Sequence, residues 1–216
     1  MIRIEREFIM TTAIIGLGNM GKGLAQRLSG QTPLLLASRN PDDAAALATT
    51  LSGAQGVSVE AAIEGADIVV LALGYDAALS VAALPQLVGK IVVDLTNPVL
   101  PDFSGLQIGH TTSAAEEIQK VASGARVVKG FNTIFAGLFA TDRAATSTVP
   151  VFLAGDDHDA LSAVAALVEK AGFVPESVGG LDGARLLEPL AMLNIRMGYG
   201  LGKGTSRAPT WTEVAA

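Results

Sequence analysis

The chain contains no cysteine and only two histidines, His110 and His158, far apart in sequence. The first absence excludes disulfides, a thiolate nucleophile and any Cys-ligated metal; the second leaves no metal-ligand spacing. Basic residues are also scarce, 15 Lys and Arg against 21 Asp and Glu, for a formal net charge of -6. That balance argues against a nucleic-acid or anionic-membrane partner. No uninterrupted apolar run reaches the ~18 residues of a membrane span. The first residues carry Arg3, Glu5, Arg6 and Glu7 and lack the apolar core of a signal peptide, while Met10 offers an alternative start. A cytoplasmic enzyme is expected.

What the chain does have is length and apolar content: 216 residues, half of them hydrophobic, enough for one domain with a sizeable core. Strand-like runs at 13–15, 34–37, 68–73, 91–95, 127–129 and 151–154 alternate with helical stretches at 20–29, 42–51, 77–84, 113–121 and 159–171. A late strand is expected near 174–178, a short one at 57–59, and a last helix over 181–200. This alternation predicts an α/β fold, a single Rossmann-type doubly wound and mostly parallel sheet with a C-terminal helix. Residues 1–12 read as an N-terminal extension, 13–205 as the nucleotide-binding domain, and 206–216 as a polar tail. The last helix is apolar nearly all round, which suggests burial on more than one side and a homodimer. On it, Arg185 and Glu188 lie three apart and are expected to pair.

The most specific signal is Gly16-Leu17-Gly18-Asn19-Met20-Gly21, a Gly-x-Gly-x-x-Gly turn that follows the first strand and opens the first helix. Gly16 permits the tight turn, Gly18 lets backbone approach a pyrophosphate, and Gly21 allows helix to pack on strand. The helix then directs unpaired N–H groups and its positive end at the phosphates. After the second strand, where an NAD site would place a carboxylate, stand Ser38 and Arg39. An arginine fork there suits a 2′-phosphate, so NADP(H) is the expected coenzyme. Asn40-Pro41-Asp42-Asp43 reads as a helix cap, a first-turn proline and acids on the dipole.

In open sheets of this kind ligands lie beyond the carboxyl ends of the strands. Three segments there are expected to wall the nicotinamide: Leu73-Gly74-Tyr75, Thr96-Asn97-Pro98 and Asn132-Thr133-Ile134. Asp94 is expected to fix a loop, and neither histidine adjoins a second member of a triad. No residue takes a catalytic role and none a metal.

Together Ile15 to Gly23, Ser38-Arg39-Asn40-Pro41, Val128-Lys129-Gly130-Phe131-Asn132-Thr133-Ile134, Gly155-Asp156-Asp157 and Ala184-Arg185-Leu186-Leu187-Glu188 resemble the F420-dependent NADP oxidoreductases. That family includes bacterial relatives and the reductase domain of the STEAP metalloreductases, and the resemblance runs over about 13–201. It implies hydride transfer between NADP(H) and a flavin or 5-deazaflavin bound face to face, a reaction that needs ring alignment more than a charged side chain. It further implies that Ser38 and Arg39 hold the 2′-phosphate and that the three strand-end segments line nicotinamide and acceptor. Archaeal F420-using members carry His where Asn132 stands, and a Lys where this chain has Asp42, Asp43 and alanines. FMN, FAD or riboflavin therefore joins F420 as a diffusing co-substrate. About 36 residues follow Gly180, enough for one substantial helix, so an open crevice is expected. The alternatives are an NADPH-dependent imine or pyrroline reductase completed across a dimer, and a non-enzymatic NADP(H)-binding redox sensor.

Overall fold

The computed structural model describes residues 10–212 and 214; most of the expected N-terminal extension, residues 1–9, lies outside them. Eight strands form one sheet: β1 (Thr12–Ile15), β2 (Leu34–Ala37), β3 (Ala54–Gly56), β4 (Ile68–Leu71), β5 (Ile91–Asp94), β6 (Arg126–Lys129), β7 (Pro150–Gly155) and β8 (Val174–Ser177). Their order is β3-β2-β1-β4-β5-β6-β7-β8, parallel throughout except where β7 runs antiparallel to β6. The sequence of strands reverses direction across the sheet at the β1/β4 boundary, and that is where a ligand crevice opens in folds of this type.

The central strands are short β-branched or aliphatic runs such as Ile-Val-Val-Leu in β4, buried along their whole length. Because successive side chains point to opposite faces, each strand feeds two cores. Ile14, Val70, Val93 and Val128 meet α1 (Asn19–Leu28), α2 (Pro41–Ala48) and α7 (His158–Lys170) on one face. Ala13, Ile15, Val69, Leu71 and Val92 meet α3 (Val59–Gly65), α4 (Tyr75–Ala82) and α5 (Ala114–Val121) on the other. Burial on both faces explains why these strands read as continuous apolar runs.

Two expectations change. Val57-Ser58-Val59 is not a strand: the Ser58 side chain accepts the Ala61 N–H at 3.2 Å and caps α3, while the strand falls just before, at Ala54–Gly56. The last helix is also not continuous over 181–200. A 3-10 turn (Leu181–Gly183) leads into α8 (Ala184–Ile195), which contains Pro189 and ends in a π turn (Arg196–Gly200). Between α5 and α8 the chain adds the four-residue α6 (Arg143–Thr146). Leu186 and Leu193 of α8 face outward and remain exposed, and Trp211 from the final segment packs edge-on against Phe152 with ring centroids 5.4 Å apart. Among the described residues no helix is long and apolar enough to cross a membrane, and no cluster of three metal-ligating side chains occurs.

Candidate functional site

The glycine turn has the geometry its spacing demands. Gly16 sits at φ +97°, and a Cβ there would stand 2.4 Å from the Ala72 carbonyl oxygen. At Gly21 a Cβ would stand 1.9 Å from the Gly16 carbonyl oxygen, so any side chain would drive α1 off the loop. Gly18 differs in kind: its φ of -70° suits any residue, and a Cβ would meet nothing within 4 Å. What it faces is a cleft of about 770 Å³, lined by Gly16, Leu17, Gly18, Ser38, Arg39, Leu73 and Gly74 among others. Gly18 is also the N-cap of α1, which has no side-chain cap and no acidic residue in its first turn. The positive end of that helix is therefore left for a ligand.

At the far end of this cleft Asn40 caps α2, accepting the Asp42 N–H at 3.2 Å, with Pro41 in the first turn. Ser38 donates its hydroxyl hydrogen to the Asn40 carbonyl. Asp43 stabilises the helix end and, beyond its expected role, also lines the cleft beside Arg39.

The second half of the site lies beyond β5 and β6. Asn132 Nδ2 donates to Asn97 Oδ1 at 3.0 Å and to the Leu187 carbonyl at 3.2 Å, and Asn97 Nδ2 returns a bond to the Asn132 carbonyl at 3.0 Å. Two strand-end loops and α8 are thereby stitched together. The turn presenting Asn132 includes Phe131 at φ +60°, a left-handed backbone that a bulky buried residue adopts only under constraint. Asn97 and Asn132, with Asn19 and Met20 from the start of α1, line a pocket of about 230 Å³. Asn132 Oδ1, Thr133 Oγ1 and Thr96 Oγ1 are buried there or just behind it without a hydrogen-bond partner. Such orphaned groups call for an occupant.

Thr133 and Pro98 lie buried behind the wall rather than on it. Tyr75 is not a loop residue but the first residue of α4. Burial first, then the charges of Glu117 and Glu188, push its phenol above the ordinary 10.0. The predicted segments stop short of Phe135 and Ala136, and they omit four pocket residues from α8 and its π turn: Ala191, Asn194, Ile195 and Tyr199. Asn194 donates to the Thr133 carbonyl at 3.0 Å, and Tyr199 stacks edge-on against Phe135 at 5.5 Å. A lone amide in an apolar helix, one turn from Ala191 and Leu190, was the available signal.

Beneath the pocket lies a group of buried charges. Lys129 Nζ donates to Asp94 Oδ2 at 2.8 Å, to Glu188 Oε1 at 2.8 Å and to the Thr96 carbonyl, and all three charged side chains are essentially without solvent contact. Asp94 Oδ1 accepts the Thr96 N–H at 2.8 Å, the loop-fixing role expected of it. Glu188 accepts the Ala114 N–H at 3.0 Å and the Ala115 N–H at 3.4 Å, at the start of α5. Arg185 and Glu188 consequently do not pair. Glu188 turns inward to Lys129, and Arg185 forms a bidentate bridge to Glu116 at 2.6 and 2.9 Å. Burial would lower the Lys129 ammonium pKa, but Asp94 and Glu188 outweigh it and hold it above 10.5. Burial pushes the Glu188 carboxyl up against the pull of Lys129.

The model of the family described as NADP oxidoreductase, coenzyme F420-dependent, matches residues 11–98. The F420-dependent NADP reductase of Methanocaldococcus jannaschii is 28% identical over 95% of this chain and all of its own length. Metalloreductase STEAP3 of Rattus norvegicus is 33% identical over 83% of this chain, which spans only 36% of that relative's length. The solved structure of a candidate F420-dependent NADP-reductase from Arthrobacter sp. FB24 superposes with a TM-score of 0.80 at 27% identity, covering 91% of this chain and 96% of the other. Over residues 11–98 the chain matches the model of the coenzyme F420-dependent NADP oxidoreductases, and along nearly its whole length it is similar to the reductases of that description.

Proposed function

We propose that this protein binds NADP(H) along the cleft and passes a hydride between it and a flavin or 5-deazaflavin that enters and leaves as a co-substrate. The observation that carries the reading is Gly18. Neither its backbone angles nor any neighbour requires a glycine, yet a side chain there would project into the cleft above an uncapped helix start. That fits a pyrophosphate brought into contact with main-chain N–H groups. Arg39 supplies the donor fork for a 2′-phosphate, while the Ser38 proton must turn from the Asn40 carbonyl to add a second donor. At the other end the free Oδ1 of Asn132, a residue of the pocket wall, offers an acceptor to a carboxamide NH₂.

When bound, the coenzyme supplies the hydride; the protein's own residues supply alignment. Asn97 and Asn132 hold each other and α8 in fixed register, so the pocket wall is set before a ring arrives. No acid or base is assigned: neither histidine lines the two cavities, and the proton that accompanies acceptor reduction comes from water. The test is an anaerobic assay of NADPH absorbance with FMN, FAD, riboflavin and F420 in parallel. Oxidation with at least one of them is expected. Turnover of cyclic imines with none of these acceptors reduced points to an imine reductase, and tight NADPH binding without any turnover points to a sensor; both outcomes overturn the proposal.

A further inference from the structure

We propose that the buried Asp94–Lys129–Glu188 group is an electrostatic bias on the coenzyme, favouring its oxidised, cationic ring over the reduced, neutral one. This rests on the dinucleotide reading above. The group holds two carboxyl groups and one ammonium, with both contacts to Lys129 at 2.8 Å; the proposal takes both carboxyls as ionised, held so by Lys129 and the backbone N–H groups that they accept, which leaves one unit of negative charge. The neighbouring charges do not cancel it. Arg185 is spent on Glu116 at 2.6 Å and Lys120 on Glu117 at 2.7 Å, each pair neutral in itself. The Thr96 N–H on Asp94 and the Ala114 and Ala115 N–H groups at the start of α5 on Glu188 offset part of the charge.

Its position makes the charge relevant. Lys129 donates to the Thr96 carbonyl, one residue before Asn97, and lies three residues before Asn132; Leu187, next to Glu188, accepts from Asn132. The group therefore lies directly under both loops that form the small pocket. Hydride transfer takes a proton and two electrons from the dihydronicotinamide ring to the flavin or deazaflavin, and the ring passes from neutral to singly positive. A fixed negative charge in a water-poor interior lowers the energy of that cation and leaves the neutral form nearly unaffected. A purely structural clamp would treat the two forms alike. Asp94, Lys129 and Glu188 are on this reading positioning residues that act through the field they hold under the ring.

Dissociation constants for NADP+ and NADPH are to be measured by calorimetry on the wild-type protein, Glu188→Gln and Asp94→Asn, with 2′-phospho-ADP-ribose, which has no nicotinamide, as control. The expected result is that each variant loses about tenfold in affinity for NADP+ relative to NADPH, with the control ligand unchanged. Equal losses for all three ligands, or an unchanged ratio, overturn the inference. Should neither variant fold, the wild-type ratio decides: NADPH held more than tenfold more tightly than NADP+ overturns it, and comparable or tighter NADP+ binding supports it. Wild-type protein that binds neither nucleotide overturns the underlying dinucleotide reading instead.

Discussion

Gly18 and Gly21 are three residues apart and need to be glycine for opposite reasons. Gly21→Ala places a methyl 1.9 Å from the Gly16 carbonyl oxygen and is expected to cost about 2–4 kcal/mol of stability. Gly18→Ala meets no protein atom and is expected to change stability by only about 1 kcal/mol, the difference between Gly and Ala as an N-cap. It should nonetheless raise the KM for NADPH at least tenfold, because about 1.4 kcal/mol of lost binding already gives that factor. Denaturant melts and steady-state kinetics on the two variants separate the roles, and a Gly18→Ala enzyme with unchanged KM removes the pyrophosphate assignment. At the opposite end of the cleft, Arg39→Ala is expected to raise the KM for NADPH far more than that for NADH. An equal change for both coenzymes removes its assignment to the 2′-phosphate. All these positions could be read from spacing alone, since a Gly-x-Gly-x-x-Gly turn between strand and helix is a local pattern. The cavity role of Asp43 could not, because the same residue also satisfies the local rules for a helix start.

Among the elements, α8 departs most from what its pattern suggested. Its apolar run shows a helix, but the partners of Arg185 and Glu188 come from α5 and β6, 69 and 59 residues away in sequence. Arg185, through its hydrogen bonds, holds the Glu116 carboxyl below the ordinary 4.5 despite the opposing effect of burial. A depressed carboxylate stabilises the fold above its unfolded pKa, and the contribution is lost as pH falls through the lower folded value. The clamp between α8 and α5 should therefore act fully at neutral pH and vanish in acid below about 4.5. Urea melts of wild type and Arg185→Ala, followed by the single tryptophan, Trp211, check this. The gap between their midpoints should be present at pH 7 and close towards pH 3. A gap that stays constant with pH would assign the effect to packing alone. The short strand Ala54–Gly56 and α3 were misread for a related reason: Val57 and Val59 look strand-like, but the Ser58 cap decides the conformation.

On the scale of the whole molecule, one buried arginine joins regions that sequence keeps far apart. Arg27, near the C-terminus of α1, donates to the carbonyls of Leu138, Phe139 and Thr141 at 2.7–2.8 Å, reaches the Ala171 carbonyl at 3.3 Å, and lies 5.3 Å from the Phe173 ring centre. It has no carboxylate within ion-pair distance among the described residues; four carbonyl oxygens, from the 3-10 turn Ala136–Ala140 and its end and from the end of α7, together with the Thr146 hydroxyl, replace water as acceptors for the guanidinium. Arg27→Met would leave several buried carbonyls unsatisfied, at about 3 kcal/mol in total. For a domain of this size that lowers Tm by about 6–12 °C. Calorimetric melting checks the figure, and a shift under 2 °C would mean that water replaces the guanidinium without loss.

The fold class and the glycine turn at the mouth of the large cleft were legible from residues close together in the chain. They follow from local rules: alternation of apolar runs, glycine where no Cβ fits, and capping residues at helix starts. The small pocket was legible only as strand-end loops, of which those of Asn97 and Asn132 line it while Leu73 and Gly74 line the large cleft, and the rest of its composition was not. Which side chains face one another there depends on how α8 crosses the strand ends after a long chain excursion, and no spacing rule encodes that. Burial then decided the chemistry. Lys129, Asp94 and Glu188 are ordinary charged residues in sequence, and only packing brought them together as one group out of contact with water.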